Sequence, residues 1–188
     1  MEESSEGRVA GRDSEDEGFA AWTDVFQAYK LVTRAVEKRV RSESGLPLVG
    51  YEVLARLAAL SGDERLKMQE LARLVLLSKS GLSQLFSRLE KQGLVVRRGD
   101  PENLRVTYAE ITAEGRRTLA GAMPTFREEV EERFSRHVTE EELRTVQRAM
   151  RRVILASGEE PLSASPEPSG AREAERPGTS RRRAQSEP

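Results

Sequence analysis

The sequence predicts a mainly α-helical chain with one small β-hairpin, in the order α-α-β-α-α-β-β-α-α. Three observations carry this reading. Apolar residues recur at steps of three and four through most of residues 19–156. Two short runs, Leu94–Arg97 and Arg105–Ile111, have β-type composition instead, and the link Gly99-Asp100-Pro101-Glu102-Asn103 between them is dense in turn residues. Capping and breaking residues stand at the ends of the periodic segments.

The first helix carries the stripe Phe19, Trp22, Phe26, Tyr29, Val36 and Val40, and Gly45 ends it. Pro47 opens the second, with Tyr51, Leu54, Leu57 and Leu60 inside and Ser61-Gly62-Asp63 closing it. A short extended piece, Leu66-Lys67-Met68, precedes a third helix from about Met68 to Leu76, with Leu71, Ala72 and Val75 buried. Ser78 caps the fourth, since its hydroxyl can accept from a free first-turn N–H. Leu82, Leu85, Phe86 and Leu89 form the inner face of this helix, and Gly93 terminates it. After the hairpin, Thr112 caps a fifth helix striped by Leu119, Met123, Phe126, Val130 and Phe134, with a kink expected at Pro124. Thr139-Glu140-Glu141-Glu142 is a capping box that starts a sixth, bearing Leu143, Val146, Met150 and Ile154.

Composition narrows the function classes. There are no cysteines, which removes disulfides, thiolate nucleophiles and cysteine redox sensing. His137 is the single histidine, so neither a His-rich metal site nor a cofactor is expected. No apolar run reaches the length of a membrane span, and the acidic start lacks the apolar core of a secretory signal, so a cytoplasmic protein is expected. Residues 1–18 hold seven acids and two bases and almost no large apolar groups, and are expected to be disordered. Residues 157–188, rich in Ser, Pro, Glu and Arg, are expected to be a second disordered tail, in which Arg181-Arg182-Arg183 could touch phosphates. Between the tails, 24 bases against 19 acids leave a net of +5, which suits a nucleic-acid partner.

Two short helices meeting across Leu76-Leu77-Ser78, the second running straight into a hairpin, have the layout of a winged helix-turn-helix, placed at about residues 46–111. A major groove admits one helix, whose N-terminal residues reach base edges, while a hairpin beside it can place a cation in the minor groove. Ser78, Lys79, Ser80, Ser83, Gln84 and Arg88 lie at the start or on the outer face of the fourth helix, and Arg97, Arg98 and Arg105 lie on the hairpin. These nine are the candidate DNA contacts: Gln suits adenine, Arg or Lys suits guanine, and Ser suits either. From Arg73 to Tyr108 there are seven bases and three acids, so most of the excess charge sits here. An enzyme is not expected. There is no Gly-rich phosphate loop, nucleophile–base pair or metal spacing, and the acids at Glu128-Glu129, Glu131-Glu132 and 140–142 are adjacent on helices and do not face each other. The alternative weighed is a winged-helix module that binds proteins or ligands without specific DNA binding.

Several runs together resemble the MarR family of regulators. They are Met68-Gln69-Glu70-Leu71-Ala72, Ser78-Lys79-Ser80-Gly81-Leu82-Ser83-Gln84-Leu85, Arg88-Leu89-Glu90-Lys91-Gln92-Gly93-Leu94-Val95, the hairpin Arg97 to Arg105, and Ile111-Thr112-Ala113-Glu114-Gly115. The resemblance covers about residues 19–156. It implies a homodimer on a pseudo-palindromic duplex site, with dimerisation helices at about 19–44 and 112–156. It also implies a repressor released by a small, often aromatic or phenolic, ligand. An effector pocket would lie where these helices meet the winged lobe, and Tyr29 and Tyr51 are its candidate contacts. The sequence departs from the family at two points. The wing usually reads Asp-x-Arg, and here reads Asn103-Leu104-Arg105, without the carboxylate that would orient a neighbouring Arg. Lys67 stands where the third helix often has a Ser or Thr cap, leaving Glu70 to bond back to the backbone.

Overall fold

The computed structural model describes residues 6–60 and 64–159, with side chains described from residue 16 onward. The elements are α1 (Glu6–Ser44), α2 (Leu48–Ala58), β1 (Leu66–Lys67), α3 (Met68–Leu74), α4 (Lys79–Lys91), β2 (Val95–Gly99), β3 (Thr107–Ile111), α5 (Ala113–Arg133), a 3-10 turn (Ser135–His137) and α6 (Glu140–Ala156). The order agrees with the sequence reading, apart from the 3-10 turn. β2 and β3 form the expected antiparallel hairpin, in register from Val95 opposite Ile111 to Gly99 opposite Thr107. β1 is a third strand on the far side of β3, pairing Leu66 with Ala109, so the sheet order is β1-β3-β2.

The core lies between α2, α3, α4 and the sheet, with the lower half of α1 and the start of α5 closing it. Phe86, Leu46, Leu54, Leu57, Leu71, Leu82 and Leu89 are its largest fully enclosed side chains, joined by Val36 and Val40 from α1 and Leu119 from α5. α1 packs along α5. The upper half of α1 does not reach this core: residues 16–31 are exposed throughout, including Phe19, Trp22, Phe26 and Tyr29. α6 buries none of its residues, and Val146, Val153, Ile154 and Leu155 face solvent.

Several boundaries differ from expectation. α1 begins at Glu6, so residues 6–18 are helical rather than disordered. The segment lacks the apolar residues for a core of its own and carries Gly7, Gly11 and Gly18, but extending a helix already formed costs far less than nucleating one. Residues 1–5 and 160–188, including Arg181-Arg182-Arg183 and most of the expected second tail, lie outside the described residues, as does the 61–63 stop signal. α3 ends at Leu74, two residues early, because Leu76 turns the chain at a positive φ of 52°. β3 starts at Thr107, which leaves Arg105 in the wing turn rather than on a strand. α5 spans Ala113–Arg133 with Pro124 inside it, the position where a kink is expected. Among the described residues no helix is long and apolar enough to cross a membrane.

Candidate nucleic-acid interface

The helix-turn-helix is held by local caps and by one long-range brace. At the start of α3 the Lys67 N–H donates to the Glu70 carboxylate at 3.0 Å, which replaces the missing Ser or Thr cap. At its end, the Arg56 guanidinium of α2 donates to the Leu74 carbonyl at 2.7 Å, satisfying an orphan acceptor. The turn closes through Leu77 N–H to the Ala72 carbonyl at 2.9 Å. Ser78 then caps α4, accepting from Gly81 N–H at 3.0 Å, with Ser80 Oγ 3.2 Å from its own hydroxyl. With Leu82, Leu85, Phe86 and Leu89 buried, helical geometry turns Lys79, Ser80, Ser83, Gln84 and Arg88 outward, and all five are exposed. Arg88 Nε lies 3.4 Å from its own helix's Gln84 carbonyl.

The wing is braced by Asp100, at the head of its turn. Asp100 Oδ1 accepts the N–H groups of Glu102 at 2.8 Å and Asn103 at 2.9 Å, and Oδ2 accepts the Tyr108 hydroxyl at 3.1 Å. The Glu102 N–H first, with the Tyr108 hydroxyl and the Asn103 N–H, holds the Asp100 carboxyl below its usual range; the same contact raises the Tyr108 phenol. Asn103 also has a role: its side-chain carbonyl accepts the Arg105 N–H at 3.1 Å. The amide thus orders the backbone under Arg105 without supplying the charge of an Asp. Lys79, Ser83, Arg97 and Arg105 share the lining of one cleft of about 340 Å³ between α4 and the wing. Among the described residues, Lys79, Arg88 and Arg105 form no ion pair, so these cations are free to meet phosphates.

Two of the nine candidates are engaged inside the fold. Arg97 pairs with the Glu90 carboxylate, donates to the Ser83 carbonyl and the Ser87 hydroxyl, each at 3.1 Å, and lies 5.0 Å from the Phe86 ring centroid. Arg98 is exposed but pairs with Glu110 across the hairpin at 3.3 Å. The remaining seven are exposed and lie on α4, at its cap or on the wing. Of the two tyrosines, Tyr51 is buried and stacks on Phe126 with centroids 4.6 Å apart and planes 2° from parallel; burial pushes its phenol up. Tyr29 is exposed on the free half of α1. Sequence reasoning missed Glu90, Asp100, Tyr108 and Arg56. Only Asp100 gave a local signal, as an Asp at the head of a turn; the others act across elements.

Similarity to known proteins bears on the same elements. The sequence profile described as the MarR family matches residues 44–105, from the end of α1 to the wing arginine. The chain is 31% identical over 106 residues to the transcriptional regulator HosA of Escherichia coli O111:H-, covering 56% of this chain and 76% of that one. It is 29% identical to the HTH-type transcriptional regulator MhqR of Bacillus subtilis, covering 69% and 86%. Among solved structures, a MarR family transcriptional regulator from Streptomyces coelicolor, determined in complex with DNA, superposes with a TM-score of 0.67 at 31% identity over 78% of this chain and 89% of that one. AbsC, a MarR family transcriptional regulator of the same organism, gives 0.67 at 28% identity over 76% and 95%. With a three-stranded winged lobe, a profile match through α4 and the wing, and a relative and a solved structure at 31% identity that the chain covers by 76% and 89%, the chain belongs to the MarR family of transcriptional regulators.

Proposed function

We propose that this chain binds duplex DNA sequence-specifically as a homodimer. Each α4 enters a major groove, and each Arg105 enters the flanking minor groove. The observation that carries the reading is that Lys79 on α4 and Arg105 on the wing line one cleft, both free of ion pairs among the described residues. Ser80, Ser83 and Gln84 on the same face supply donors and acceptors for base edges. The similar regulator crystallised with DNA supports the assignment. The unburied stripes of α1 and α6 support the dimer, because exposed apolar faces on long helices invite a partner. Repression, and its release by a small aromatic or phenolic ligand near Tyr29 and Tyr51, belong to the same proposal and rest on the family.

Selection of bound fragments from a random duplex pool tests it. A dimer of winged lobes returns two inverted half-sites whose centres lie about one helical turn, roughly 10 base pairs, or a multiple of it apart. A sequence-blind pool would refute specific binding, and a lone half-site would refute the dimer.

A further inference from the structure

We infer that Arg97 is a positioning residue, and that the Glu90–Arg97 pair sets the distance and angle between the reading helix and the wing. This rests on the DNA reading above and deepens it. Arg97 belongs to β2, the root of the wing, and among the described residues every partner of its side chain belongs to α4. Its guanidinium pairs with Glu90, donates to the Ser83 carbonyl and the Ser87 hydroxyl, and packs over the Phe86 ring. Its backbone N–H donates to the second Glu90 oxygen at 3.1 Å. Glu90 therefore holds both the strand and its side chain. The pair is half-buried: Arg97 keeps 28% of its side-chain surface and Glu90 36%. Ser83 is a candidate base contact, so the guanidinium is anchored directly behind the reading face. Three of the guanidinium's five N–H donors are engaged with α4, which leaves two for any phosphate. Without the brace, no hydrogen bond or ion pair among the described residues would tie β2 beyond the buried Val95 to α4, and Arg105 would reach the minor groove from a wider range of angles.

Simple electrostatics and the brace predict opposite outcomes for Glu90→Gln. The substitution removes a negative charge beside the DNA face, so charge alone predicts tighter binding. The brace predicts weaker binding, because a charge-assisted contact becomes a neutral one. The experiment measures affinity against salt for a selected duplex and for random duplex, using the full chain, Glu90→Gln, Arg97→Lys and Arg105→Ala. Amide exchange across 95–111 is followed in the free proteins. Expected for Glu90→Gln is a loss of roughly three- to tenfold on the selected duplex, little change on random duplex, an unchanged salt slope, and faster wing exchange. Arg97→Lys, which keeps the charge but not the fork, gives the same pattern, whereas Arg105→Ala lowers the salt slope by about one. Tighter or unchanged binding by Glu90→Gln, or Arg97→Lys binding as the unaltered chain does, would overturn the brace. Failure of the unaltered chain to prefer any duplex would overturn the DNA reading instead, and wing exchange in free Glu90→Gln would still decide whether the pair holds the wing.

Discussion

Gly115→Ala should destabilise the chain although it places a better helix former in a helix. Gly115 lies in the first turn of α5, directly beneath the chain that leaves α4. A β-carbon added there would meet the Leu94 carbonyl oxygen at 2.1 Å, the Leu94 carbonyl carbon at 3.0 Å and Ile111 Cγ1 at 2.8 Å. Two of the three are backbone atoms and cannot swing aside. Clearing the oxygen requires α5 to retreat by roughly 1 Å, since contacts below 3.0 Å are not sustained. The same Leu94 oxygen accepts the Thr112 N–H at 3.0 Å, and Thr112 Oγ1 donates to the Gly93 carbonyl at 2.6 Å. A 1 Å retreat stretches both beyond useful length. Overpacking costs about 1–3 kcal/mol, a lost half-buried hydrogen bond adds about 1 kcal/mol, and improved propensity returns at most about 1 kcal/mol. The expected net loss is about 1–3 kcal/mol, or a fall in Tm of roughly 3–10 °C for a chain of this size. Urea and thermal unfolding followed by far-UV circular dichroism, at one fixed protein concentration, would read it. Gly45→Ala is the comparison: its φ is +70° with nothing within 4 Å, so it should lose only about 1 kcal/mol. A Gly115→Ala chain as stable as the unaltered one would show that the helix and hairpin do not meet as described.

Leu76→Gly should stabilise by about 1 kcal/mol, because Leu76 holds a φ of 52° while 86% exposed; a lower urea midpoint would refute it. Arg105→Ala should weaken binding to a selected duplex roughly tenfold with unfolding unchanged, and equal affinity in a gel shift would remove the wing from the contact. Val153→Glu should shift the chain from dimer to monomer in sedimentation, since Val153 is 57% exposed on the free face of α6; an unshifted dimer would exclude that face from the interface. Asp100 has a lowered carboxyl pKa, so its contribution to wing order is full above the ordinary carboxylate range near about 4 and is lost as pH falls through the lowered value. Amide exchange at 100–108 should therefore quicken in acid beyond the intrinsic pH trend, and Asp100→Asn should abolish that excess; equal behaviour of the two chains would disprove the brace.

The parts of this molecule that were legible in the sequence are those decided within one turn of chain. The stripe Leu82, Leu85, Phe86 and Leu89 needs only helical periodicity, and all four are buried. Ser78, Thr112 and Thr139 each accept an N–H three residues on, as their positions imply. Arg97 and Tyr51 were harder to read because their partners come from other elements. Nothing near Arg97 in sequence separates a free cation from one caged by Glu90 and Ser87. Nothing near Tyr51 shows that Phe126 of α5 will lie flat against it. β1 is two residues long, and its pairing with β3 spans more than forty residues, which no local pattern records. The start of α1 departs from expectation for a different reason. Its residues fail a test for a core, but a helix can run without one.

The winged lobe and the helical arm are joined at both ends of the lobe, and in the proposed dimer this limits how half-sites can be spaced. Where the chain enters the lobe, the Glu37 carboxylate of α1 accepts the Leu48 N–H at 2.5 Å, capping α2 from the arm. Where it leaves, Gly115 seats α5 against Leu94. Between them α1 and α5 are locked by Arg39, which donates to Glu129 at 3.0 Å, and by the Thr125 hydroxyl, which donates to Glu43 at 2.5 Å. The Thr125 hydroxyl first, then Arg39, keeps the Glu43 carboxyl low, and Glu129 is only 4% exposed with Arg39 and Arg133 around it. Truncating Arg39 would leave that buried carboxylate poorly compensated, a far larger cost than losing a surface pair. Arm and lobe therefore turn together. In the proposed dimer the separation of the two α4 helices is set where one arm meets the other, along the stripes of α1 and α6, and not by bending at the lobe. A ligand that alters half-site spacing would have to act through that junction or break one of these four contacts.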